Sequence, residues 1–221
     1  GLDRYWDQNR YHAAGSIGYL NFPLTFYGIG NHTKSRSAES YTPRSESLVL
    51  SYLKKISDEF YLGGQYELDD TRIVRIQTGG NLDTNAVPGK NSGVSSALGV
   101  AADWDTRDNI LYPMHGRYYR VSFMPFLGSF GSHYKFTRLN FDLRQYFPVW
   151  GSHVLAYQIY VNLITGEPPF YKMSALGGPN LMRGYPRRRF CDRDMVACEA
   201  EYGMPLVWRI GVAGFAGAGR L

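Results

Sequence analysis

No stretch of this 221-residue chain approaches the ~18 consecutive apolar residues of a spanning helix, so a helical membrane protein is excluded. Cysteine is nearly absent, with Cys191 and Cys198 alone. Their spacing permits one small disulfide in an oxidising compartment, but strand alternation turns Cys198 outward and favours two unpaired thiols. The histidines (His12, His32, His115, His133, His153) are dispersed without ligand spacing, so no metal is expected. No serine sits in a nucleophile elbow. No nucleic-acid motif accompanies the scattered basic residues, although the net charge is +5. The chain begins at Gly1 without a secretory signal, as a mature or truncated segment would. No enzyme and no cofactor is implied.

What the chain does have is aromatic residues (15%, with 18 Tyr) and 25 Gly, a mix that favours strands and turns over helices. Its mean hydropathy is polar, which a membrane barrel tolerates because only alternate residues face lipid. The mild positive charge suits anionic lipid head groups or an acidic partner, and equally a plain soluble protein.

Period-two alternation recurs in segments of ~10–13 residues, long enough to cross a bilayer at a tilt. The clearest is 135–147, where Leu139, Phe141, Leu143 and Phe147 oppose Arg138, Asn140, Asp142 and Arg144. In 58–69, Phe60, Leu62, Tyr66 and Leu68 oppose Tyr61, Gln65, Glu67 and Asp69. Residues 94–104, 117–127, 152–163 and 195–206 alternate likewise, the last with Val196, Cys198 and Ala200 opposite Ala197, Glu199 and Glu201. Segments 10–20, 45–57 and 207–219 read as further strands, giving about nine or ten in one domain over 1–221. Long polar connections at 21–44 and 70–93 alternate with short links at 57–58 and 148–152, the loop asymmetry of bacterial outer-membrane barrels. The link at 128–133 breaks that rhythm, being short where a long one is expected. Aromatics near strand ends (Trp104, Tyr112, Tyr146, Phe147, Trp150, Trp208) match the girdles of such barrels. A soluble sandwich would instead turn each apolar face toward a second sheet.

The longest stretch without a strand pattern is 164–190. Leu176-Gly177-Gly178-Pro179 and Arg183-Gly184 call for turns rather than a ladder, while Phe170, Tyr171, Met173, Leu181, Met182 and Tyr185 give the loop its own apolar anchors. Arg187-Arg188-Arg189 could hold lipopolysaccharide phosphates, although a solvated charge run is the simpler account. Asp105–Asn109 looks like a cation site on paper and reads better as a turn built from Asx hydrogen bonds.

Met182-Arg183-Gly184-Tyr185, after its Leu-Gly-Gly approach, resembles the loop motif of the BamA/TamA superfamily of outer-membrane assembly and secretion barrels, the bacterial surface antigen proteins. Asp105–Asn109 followed by Tyr112–Arg117, and then Glu201–Leu206, agree with it, covering roughly 98–219; Tyr27–Asn31 adds a weaker match. The resemblance implies an all-β antiparallel transmembrane barrel, sixteen-stranded in the full family, so that 1–221 would be a partial barrel lacking its N-terminal part and closing strands. It implies a loop folded back into the lumen, with Met182, Arg183, Gly184 and Tyr185 docking on the wall. Glu199 and Glu201, on the lumen face of the next strand, are the natural counter-charges for Arg183, better explained so than as an acid/base pair. Phe215 belongs to the family's Phe-x-Asp-x-Gly run, but Gly217 stands where the aspartate would, so Glu199 or Glu201 must serve instead. The function implied is protein insertion or translocation at the bacterial outer membrane. Client outer-membrane or secreted proteins, membrane lipids and lipopolysaccharide, and periplasmic domains or accessory proteins would be the partners. An anchor for a fused hydrolase-type domain, or a passive diffusion channel, is the alternative.

Overall fold

The computed structural model describes residues 1–84, 87–208 and 210–221. Ten strands form one antiparallel path: β1 (Leu2–Trp6), β2 (Tyr11–Asn21), β4 (Glu39–Ser57), β5 (Phe60–Ile76), β6 (Gly93–Asp105), β7 (Gly116–Phe126), β8 (Phe136–Pro148), β9 (Val154–Gly166), β12 (Met195–Val207) and β13 (Ile210–Arg220). Short β3 (Leu24–Phe26) adds to β4, and β10 (Ser174–Leu176) pairs with β11 (Phe190–Asp192) inside the long loop. β1 and β13 are the two ends of the path, so the sheet is not closed.

Each alternating segment becomes a wall strand because its two faces meet different surroundings. Along β8, Arg138, Asp142 and Arg144 share one face with Glu67 of β5 and Asp103 and Arg120 across β6 and β7. Arg138 reaches the Glu67 carboxylate although two strands lie between theirs. Strands ~4.8 Å apart would hold those backbones about 14 Å from each other in a flat sheet, so the contact draws the polar face into a concavity. On the convex face Leu98, Val100, Phe123, Tyr157, Ile159 and Val196 are 42–55% exposed, and no second sheet covers them among the described residues. Leu139, Phe141 and Leu143 lie on that convex side, half-buried by neighbours on the same face. A sandwich is therefore excluded.

The structure departs from the sequence reading at two strand boundaries and in two elements. β4 begins at Glu39 and β5 runs to Ile76, because the two continue pairing (Tyr41 with Ile76) beyond the point where β2 and β6 stop. Residues 39–44 and 70–76 of the polar connections are thus strand, hidden from a hydrophobic pattern because the extension lies beyond the apolar belt. β1, whose five residues include the charged Asp3 and Arg4, was not anticipated. The long loop holds a three-residue ladder, where only turns were expected. The aromatics form one belt at the short-turn end: Trp104, Phe147 and Trp150 are exposed there, with Trp6, Tyr11 and Tyr52 grouped at 5.7–6.1 Å. Tyr146 is the exception; its register between Gly116 and Ala156 places it on the concave face beside Glu201.

Candidate functional site

The long loop leaves β9 at Gly166, returns into β12 at Met195, and runs across the concave face between. Its base is sealed. Pro168 and Pro169 are fully buried, and Phe170, 1% exposed, makes edge contacts with Phe26 (5.3 Å) and Tyr41 (5.2 Å), closing a cluster that includes Leu82. Phe170 N–H donates to the Pro88 carbonyl at 2.8 Å, and its own carbonyl accepts from Arg188 at 3.0 Å. Two residues on, the Lys172 ammonium lies 3.0 Å from Glu67 and 3.2 Å from Asp69, both on β5. Arg138 holds the other Glu67 oxygen, so one buried carboxylate joins the loop to β5 and β8. A buried carboxylate is tolerated only with such company. At the β9 and β12 junctions, Asn162 Nδ2 donates to Ser174 Oγ (2.9 Å) and the Ile164 N–H to Asp194 (3.0 Å).

The tip is built differently. Gly177 has φ +99°, and a Cβ there would lie 2.1 Å from the Pro186 carbonyl, so only glycine lets the two arms of the loop approach. Gly178 N–H donates to the Tyr185 carbonyl and Tyr185 N–H to that of Met182, which closes the turn. Met182 N–H donates to Glu199 (2.5 Å), while Arg183 pairs with Glu201 (2.5 Å) and its guanidinium lies 4.0 Å from the Phe215 ring centre. A Cβ added to Gly184 would meet nothing within 4 Å, and Tyr185 packs edge-on against Phe190 inside the loop. Glu199 fills the space above Gly217, where a Cβ would fall 3.0 Å from its Cγ. The two glutamates therefore divide the work: Glu199 holds the backbone and Glu201 the cation. This pair is not sealed, the side chains of Arg183 and Glu201 being 36% and 41% exposed.

The arginine run is not a solvated one. Arg188 bonds back to Phe170 and Arg189 is buried, leaving Arg187 as the exposed member, so the run is not free to receive lipopolysaccharide phosphates as a unit. Asp105–Asn109 is a turn: Asn109 accepts the N–H groups of Leu111 and Tyr112, Asp108 those of Met114 and His115, and Asp105 grips Arg107 at 2.7 Å. Cys191 is buried in the loop and Cys198 exposed on the convex face, on opposite sides of the wall, and both thiols are free. Burial pushes the Cys191 thiol pKa up, and the nearby Arg188 only partly offsets it.

Lys172 and Phe170 as wall contacts escaped the sequence reading. A signal was there: Glu67 and Asp69 fall on one lumen face without a basic neighbour on their own strand face, and the loop offers a lysine among apolar residues.

A model described as the Omp85 superfamily domain matches residues 2–221. No curated protein sequence matches the chain significantly. Among solved structures, BamA from Haemophilus ducreyi lacking POTRA domains 1–3 is similar, with a TM-score of 0.63 at 17% identity over 99% of this chain. The chain spans about half of that protein, 48% of its length, and at this identity the likeness concerns the fold.

Proposed function

The chain belongs to the Omp85 superfamily, and on that premise we propose that it forms part of an outer-membrane β-barrel acting in the insertion or translocation of other proteins. In this reading the convex apolar face meets lipid and the loop across the concave face is a brace. The single observation that supports the brace is its span: one segment bonds to β5 through Lys172 and to β12 through Met182 and Arg183. A wall tied from within at both flanks keeps its curvature while a seam elsewhere offers strand edges to a client, which joins by β-augmentation. Glu199 and Glu201 are the wall partners of the tip, with Phe215 as its aromatic rest. Clients, membrane lipids and periplasmic accessory domains are the partners this reading calls for.

The test is made in the full-length protein. Lys172→Met and Arg183→Ala, alone and together, are scored for client outer-membrane protein levels at equal levels of the folded barrel. Lower client levels, deepest in the double variant, are expected. Wild-type client levels in the double variant overturn the brace, and ion conductance independent of any client would favour a passive channel.

A further inference from the structure

Arg189 is the one arginine of its run whose side chain is sealed, at 9% exposure. No carboxylate pairs with it among the described residues; neutral oxygens hold it instead. The Thr33 carbonyl (2.7 Å), Thr33 Oγ1 (3.0 Å) and Ser35 Oγ (3.3 Å) accept its N–H groups. Its guanidinium lies 4.3 Å from the Phe190 ring centre and 5.0 Å from that of Tyr27. Beside it, Gly30 N–H donates to the Cys191 carbonyl at 2.7 Å, an isolated antiparallel bridge. Residues 27–35 thus form a strap between β3 and β4 that lies over β11, and among the described residues every polar contact of the Arg189 head goes to that strap.

The chemistry suits a clasp. A flat fork of N–H donors can hold a carbonyl and two hydroxyls at once while its faces rest on rings, which an ammonium cannot do. A buried cation without a counter-charge is stable only while those neutral acceptors stay in place. We propose that Arg189 is the positioning residue that clasps the 27–35 strap onto the long loop, and that without its fork the strap lifts from Cys191. The inference stands apart from the brace, since it concerns where the strap lies and not what the loop does for clients.

Cys191 is a native reporter, 4% exposed and bridged through its backbone to the strap, with a thiol whose raised pKa further slows reaction. The experiment uses the full-length protein in membranes, pulse-labelled with a water-soluble maleimide. Label on Cys191 is read by mass spectrometry of the tryptic peptide 190–193, or of 189–193 in the Ala and Met variants. Arg189→Ala and Arg189→Met should label about tenfold faster or more than wild type, the factor expected from losing one charge-assisted hydrogen bond. Arg189→Lys should fall between, since it keeps the charge and loses the fork. Labelling of Arg189→Lys as slow as wild type would mean that the fork is irrelevant and would overturn the clasp, as would wild-type labelling of Arg189→Met in a folded barrel. Should the Arg189 variants lose the heat-modifiable migration of a folded barrel, Thr33→Val with Ser35→Ala reads the same contact from the strap side. Faster labelling there supports the clasp, and an unchanged rate overturns it.

Discussion

At the base of the long loop Phe170 is 1% exposed and the Lys172, Glu67 and Arg138 side chains are 9–19% exposed; at its tip Arg183 and Glu201 are 36% and 41% exposed. Both ends carry an ion pair and an aromatic contact, and the tip carries the recognisable motif. The difference is water. A pair open to solvent is screened and contributes little, whereas removing one member of a sealed network strands a charge. The motif therefore marks where the loop touches the wall, and the base determines how firmly it stays.

Four substitutions would sharpen or break that contrast, measured as shifts in urea unfolding of the barrel in lipid. Glu67→Gln leaves both Arg138 and part of the Lys172 charge uncompensated and should cost on the order of 3–5 kcal/mol. Phe170→Ala empties the aromatic cluster formed with Phe26 and Tyr41 and should cost about 3 kcal/mol. Gly177→Ala forces a left-handed residue to carry a Cβ against the Pro186 carbonyl, at roughly 1–3 kcal/mol. Arg183→Ala should fall below about 1 kcal/mol, with a similarly small coupling to Glu201→Gln in a double-mutant cycle. If Arg183→Ala proves as damaging as Glu67→Gln, water does not rank the two ends and the contrast fails. A small stability loss with a large loss of clients would instead locate the tip's importance in the function rather than the fold.

The wall was legible because its signal is local. Leu139, Phe141 and Leu143 against Arg138, Asp142 and Arg144 declare two faces in one short run, and a strand needs nothing beyond its own pleat to display them. Arg183 with Glu201 could also be read, since motif and counter-charge lie on adjacent elements, 18 residues apart. The β4 and β5 extensions were not legible. They lie beyond the apolar belt, where Tyr41, Pro43 and Arg75 follow no alternation that lipid would impose. Nor was the fate of the arginine run: three like charges in sequence look solvated, and the strap's hydroxyls that bury Arg189 lie more than 150 residues away.

By itself the sequence determined most of the wall strands, the face each presents and the position of the loop that interrupts them, since hydropathy with a period of two is written residue by residue. Only the tertiary structure decided what that loop holds. Lys172 meets Glu67 from 105 residues away because the sheet curls and brings β5 within reach across the concavity. Curvature is a property of the assembled wall, the sum of small twists between neighbouring strands, and no single segment encodes it.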